Sequence, residues 1–124
     1  MLVEFLRGKL HRARVTEANV DYVGSITIDR DLMEAAGIYE YEKVLVVDID
    51  NGERLETYTI AAPRGSGTIC MNGAAARRIR KGDVVIVMAF CLVDIPKEKS
   101  PKPKIVIIDE KTNRIKEMYV SKGA

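Results

Sequence analysis

Residues 84–93 read VVIVMAFCLV, ten positions without a charge. The run is about half the ~20 residues that a membrane-spanning helix needs, and its β-branched content predicts a core strand buried on both faces. Such a strand needs partners on both edges, and the sequence supplies several. Leu2 to Val15 reads as one long or bent strand with Gly8 as a bulge, and Gly24 to Ile28 as a second, shorter one. Lys43 to Asp50 and Glu53 to Ala61 flank Asn51 and Gly52, the strongest short signal for a type I′ hairpin. Ile105 to Asp109 and Ile115 to Val120 form a final hairpin around Lys111 to Asn113, after a solvated Pro- and Lys-rich loop from Pro96 to Lys104. Helices are few. Asp29 caps a short one through Met33 and Ala36 that Gly37 ends, and Asn72 opens another of about two turns that ends at Gly82. Many short strands with two small helices predict a mainly β, barrel-like domain.

A chain of 124 residues suffices for one such domain and buries roughly two-thirds of its unfolded surface. Hydrophobic residues at 47% and charged residues at 31% argue against both disorder and a membrane span. The 20 Lys and Arg nearly balance 18 Asp and Glu, so charge demands no polyanionic partner. Arg77, Arg78, Arg80 and Lys81 would be the best case for nucleic-acid binding, but 6% aromatic residues and no Trp supply few stacking platforms. No nucleic-acid or membrane partner is expected. No basic stretch leads into a long apolar core with a cleavage site, so a cytoplasmic location is expected. Cys70 and Cys91 read as reduced core thiols, and a single His without CxxC leaves little for a transition metal, so no metal site is expected. His11, beside Arg12, reads as a polar strand residue rather than a catalytic acid.

Three features exceed what a barrel needs. In Tyr22-Val23-Gly24-Ser25 a serine follows a glycine whose carbonyl is unhindered and whose backbone is distortable. In Asn72-Gly73-Ala74-Ala75-Ala76 a helix start without large side chains leaves backbone N–H groups free for an anion such as a carboxylate. In Arg54-Leu55-Glu56-Thr57-Tyr58, period-2 alternation sets Arg54, Glu56, Tyr58 and Ile60 on one face, and Leu55, Thr57 and Thr59 on the other. Arg54 offers a bidentate fork for a carboxylate, and Tyr58, roughly 13 Å along the strand, offers a proton. Each feature alone is as well explained by ordinary turns, caps and packing. Together they describe a site for a small acid.

GKLHRARVT, YVGSITID, NGERLETY, RGSG and NGAAA occur in the order and spacing of the pyruvoyl-dependent aspartate 1-decarboxylase family, which the chain resembles from about residue 1 to residue 120. The resemblance implies a double-psi β-barrel with two or three short helices in one domain over 1–120, with 121–124 a disordered tail. It implies a homotetramer with active sites between neighbouring subunits, making β-alanine for pantothenate and coenzyme A. The chain would cut itself between Gly24 and Ser25 into 1–24 and 25–124, with or without a maturation factor. Attack of the Ser25 hydroxyl on the Gly24 carbonyl, β-elimination and loss of ammonia would leave Ser25 as the pyruvoyl cofactor. A Schiff base between that group and L-aspartate would then lose the α-carboxylate as CO₂.

The same resemblance assigns Tyr58 as proton donor and Arg54 as carboxylate clamp. It gives Thr57 a hydrogen bond to the carbonyl region at the cut, and it makes Gly73, Ala74 and Ala75 the backbone substrate site. Lys9 and Asn72 match further pocket positions. Tight pairing to the departing carboxylate would stabilise the ground state over the transition state, so Arg54 is expected on the carboxylate that stays. Val47, Pro63 and Arg77 depart from the family pattern, which bears on pocket shape and interface rather than on the reaction.

Overall fold

The computed structural model describes residues 1–120, and the predicted alternation is realised there in nine strands. These are β1 (Leu2–Arg14), β2 (Glu17–Asn19), β3 (Ser25–Asp29), β4 (Lys43–Asp48), β5 (Arg54–Ala62), β6 (Ile69–Asn72), β7 (Val84–Asp94), β8 (Lys104–Ile108) and β9 (Ile115–Val120). They hydrogen-bond in the order β2-β6-β3-β5-β4-β7-β1-β8-β9. Three of the pairings are parallel, β1 with β8, β2 with β6 and β3 with β5. Just past β1, Thr16 closes the sheet on itself: its N–H donates to the Ile69 carbonyl at 2.8 Å, and its Oγ1 accepts from the Ile69 N–H at 3.0 Å. The architecture is mainly β and barrel-like, as the double-psi β-barrel reading requires. Among the described residues no helix is long and apolar enough to cross a membrane.

The inward faces form one core. Leu10 and Ala13 of β1, Ile26 and Ile28 of β3, Val44 and Val46 of β4, Ile69 and Met71 of β6, and Val85, Val87 and Ala89 of β7 are all buried together. Each large side chain so placed contributes about 1.5–3 kcal/mol. Helix α1 (Arg30–Ala36) adds Leu32, Met33 and Ala36 to this core. It is capped as predicted: the Asp29 carboxylate accepts from the Asp31 N–H, and Gly37 ends it in the left-handed region at φ 72°.

Several expectations are corrected. β7 is buried on one face only: Ile86, Met88 and Phe90 are half-buried on the other, and Leu92 is 64% exposed. The sheet is covered by the core on one side alone, so a continuous apolar run here marks an outer face that is itself apolar. The β4–β5 connection is not a two-residue type I′ turn, because β4 ends at Asp48 and only Gly52 takes positive φ, at 75°. Asp48 Oδ1 captures the N–H groups of Asp50 and Asn51, and Asn51 Oδ1 captures that of Glu53, which builds a longer, side-chain-stapled turn. β1 carries two extra residues, Arg7 and Arg12, where the register shifts between Leu6 and Gly8 and between His11 and Ala13, and Arg12 takes positive φ at 70°. Gly8 serves close approach instead, since a Cβ there would lie 2.0 Å from the Ala36 carbonyl oxygen. The two-turn helix after Asn72 is a 3-10 helix confined to Gly73–Arg77. The tail expected at 121–124 lies outside the described residues.

Candidate active site

Ser25, the first residue of β3, is fully buried, and its Oγ accepts a hydrogen bond from Asn72 Nδ2 at 2.9 Å. Antiparallel pairing of β3 with β6 sets these two residues opposite each other. The same amide nitrogen donates to Thr27 Oγ1 at 3.0 Å, and Cys70 Sγ lies 3.2 Å from Asn72 Oδ1. The Asn72 side chain is thus spoken for at both ends. It makes no cap on the 3-10 helix, which is why the predicted Asn-capped helix start does not form. With its acceptor oxygen held by Asn72, the Ser25 hydroxyl keeps its own proton free to give away.

Gly73 sits against the bond before Ser25. It takes φ 67°, and a Cβ on it would lie 2.7 Å from Gly24 Cα, 2.8 Å from Gly24 N and 3.0 Å from the Tyr22 carbonyl oxygen. Backbone meets backbone here, a contact that only glycine allows. Beside Ser25 opens a cavity of about 490 Å³, lined by Glu17, Thr27, Thr68, Cys70 and Asn72 among polar groups and by Val23, Ile60 and Ala62 among apolar ones. Burial, and then the Glu17 carboxylate, raise the Cys70 thiol above its ordinary value, so it is held as a neutral thiol. The sequence marks Cys70 only as a core thiol and does not mark Thr27 or Glu17 at all. Only the two-residue spacing of Ser25 with Thr27, and of Cys70 with Asn72, could have signalled Thr27 and Cys70 as cavity residues, and nothing local points to Glu17.

β3 runs parallel to β5 with Ile26 opposite Thr59, so Ser25 and Tyr58 stand one residue upstream of this ladder on their strands. Alternation puts Tyr58 on the outer face with Ile60 and Thr57 on the inner face with the buried Thr59. Arg54 lies four residues back on the outer face, about 13 Å along the strand. It stands in one row with Val47, Ile86 and His11, through the pairs Arg54–Val47, Val47–Ile86 and Ile86–His11. Lys9 stands in the neighbouring row with Met88, Leu45 and Glu56, three strands from β5 and so roughly 14 Å from it. Burial first, then Lys9 and Arg12, hold the His11 imidazole below its ordinary value.

Within one chain, then, Gly24, Ser25, Asn72 and Gly73 converge and Tyr58 neighbours them. Arg54 and Lys9 share the outer face at a distance, and neither lines the cavity. Ala74 is exposed and Ala75 half-buried in the 3-10 helix, whose five residues do not form the dipolar α-helix start that was expected to bind an anion.

Residues 1–116 match the family model described as aspartate decarboxylase. The chain belongs to the aspartate decarboxylase family. A protein named aspartate 1-decarboxylase from Caldicellulosiruptor saccharolyticus is 61% identical over 116 residues, covering 94% of this chain and 91% of that protein. One of the same name from Clostridium kluyveri is 59% identical over 110 residues, 89% of this chain and 87% of that protein. Another, from Neisseria meningitidis, is 52% identical over 118 residues, 95% and 92% of the two chains. The aspartate decarboxylase family match spans the cavity-lining residues, the outer-face rows and the Gly24–Ser25 bond alike.

Proposed function

We propose that this chain removes the α-carboxylate of L-aspartate as CO₂, giving β-alanine, on a pyruvoyl group that it makes from its own Ser25. Membership of the family supports the reaction. The observation that carries the self-processing is the buried Ser25 hydroxyl, oriented by Asn72, directly after a glycine pinned by Gly73.

In processing, Ser25 Oγ adds to the Gly24 carbonyl carbon and the Ser25 nitrogen leaves it, turning the amide into an ester. Loss of the Ser25 α-proton with the ester carboxylate frees residues 1–24. Water then displaces the nitrogen as ammonia, leaving a keto group at the start of 25–124. Thr57, just before Tyr58 on β5, would stabilise the oxyanion of the first step. A pyruvoyl group supplies an electron sink for the pair that decarboxylation releases.

The remaining work falls to side chains. Tyr58 delivers the proton that replaces the carboxylate at the substrate α-carbon. Arg54 holds the carboxylate that stays, and Lys9, Asn72 and the backbone of Gly73, Ala74 and Ala75 complete the pocket. Among the described residues Glu17 is the one charged group lining the cavity beside Ser25, so the two carboxylates of aspartate need cations from elsewhere. Arg54 and Lys9 of a neighbouring copy would answer that need in a homotetramer with sites between subunits. The β-alanine formed would feed pantothenate and coenzyme A synthesis in the cytoplasm, with or without a maturation factor for the cut. Ser25→Ala tests it: CO₂ release from L-aspartate is expected to fall to background, and retained turnover would overturn the proposal.

A further inference from the structure

We propose that Asp48, Asp50 and Asp83, where β4 ends and β7 begins, form a binding site for a hard divalent cation of the calcium type. One carboxylate oxygen of each residue lies within 4.8 Å of those of the other two. One oxygen of each carboxylate is fixed by backbone donors. Asp48 Oδ1 accepts from the N–H groups of Asp50 at 2.8 Å and Asn51 at 3.2 Å, Asp50 Oδ2 from Val84 at 2.8 Å, and Asp83 Oδ2 from Arg80 at 3.1 Å.

What distinguishes this cluster from an ordinary acidic surface is Asp48. The residue is 1% exposed, yet its Oδ2 is buried without a hydrogen-bond partner. A buried carboxylate oxygen left unpaired is costly, and a like charge beside it adds to the cost. Burial, and then a hydrogen bond with the Asp83 carboxyl, push Asp48 up to about 6. Among the described residues no ion pair joins any of the three to a Lys or Arg.

An all-oxygen donor set selects a hard cation over a transition metal. The gradient from buried Asp48 through half-buried Asp83 to exposed Asp50 opens the site to solvent on one side, so water can fill the remaining positions. Carboxylates fixed by backbone bonds in an irregular arrangement suit the adaptable shell of Ca²⁺ better than the octahedral demand of Mg²⁺. A bound ion would tie the β4–β5 turn to the start of β7.

The test uses the full chain, stripped with EDTA, desalted and titrated with CaCl₂ by calorimetry at neutral pH, with thermal unfolding in parallel. Expected are saturable binding of one ion per chain and a midpoint that rises and levels off with CaCl₂. Asp50→Asn, at an exposed position that does not threaten folding, should weaken Ca²⁺ by about tenfold or more, and MgCl₂ should bind more weakly than CaCl₂. Absent saturable binding, with a stability that rises only on acidification, would assign the cluster to a proton shared by Asp48 and Asp83 and overturn the proposal. Unchanged Ca²⁺ affinity in both Asp50→Asn and Asp83→Asn would overturn it too.

Discussion

Gly73 does two things at once: it turns the chain at φ 67° and lets its backbone press on Gly24. Alanine there meets a left-handed conformation costing about 1–2 kcal/mol and a backbone atom at 2.7 Å that no rotamer change relieves. The strain falls on Gly24, whose carbonyl would have to distort in the proposed attack by Ser25. Gly73→Ala is therefore expected to slow self-cleavage at least about tenfold, equivalent to some 1.4 kcal/mol at the barrier. Following the uncut fraction over time checks this, and cleavage at the parental rate would contradict it. Arg54 makes a second prediction at this scale. If it holds the carboxylate that stays, Arg54→Ala should lose much of the discrimination between aspartate and alanine, measured as the ratio of their kcat/KM values. Unchanged discrimination would remove Arg54 from that role.

Among the elements, β1 and α1 meet where Gly8 faces the Ala36 carbonyl. A methyl group there would sit 2.0 Å from a backbone oxygen, so strand and helix must separate. Gly8→Ala is expected to destabilise the fold by about 1–3 kcal/mol, read as a lower denaturation midpoint, and an unchanged midpoint would contradict the packing described. The α1 caps and the β8–β9 hairpin were legible because their signals are local: Asp29, Gly37 and the residues around Asn113 act within a few positions. The β4–β5 turn and the 3-10 helix were misread for the opposite reason. Asp48 and Asn72 spend their side chains on partners that neighbouring strands or the turn itself bring to them, and local propensity carries no trace of that. β2 was missed because three residues, Glu17–Asn19, are too few to show a period.

At the scale of the molecule, one outer face carries His11, Val47, Arg54, Tyr58 and Ile86 along or beside a single sheet, with Leu92 exposed at its end. The apolar run that opened the sequence reading belongs half to the core and half to this face, which periodicity alone could not divide. Ser25, Tyr58, Arg54 and Asn72 stood out by motif as candidate site residues, and the β3–β6 pairing brings Ser25 and Asn72 together. The separation of the others was not legible, because it follows from strand order, which places Arg54 and Lys9 away from the cavity beside Ser25. A subunit neighbour is the economical way to reunite them. The proposed function rests on the Gly24–Ser25 bond being one that the protein itself breaks. Intact mass of the purified protein, taken fresh and after prolonged warming with and without a maturation factor, tests that claim most directly. Two fragments corresponding to residues 1–24 and 25–124, the larger lacking a free amino terminus, are expected; a single uncut chain under every condition would contradict it.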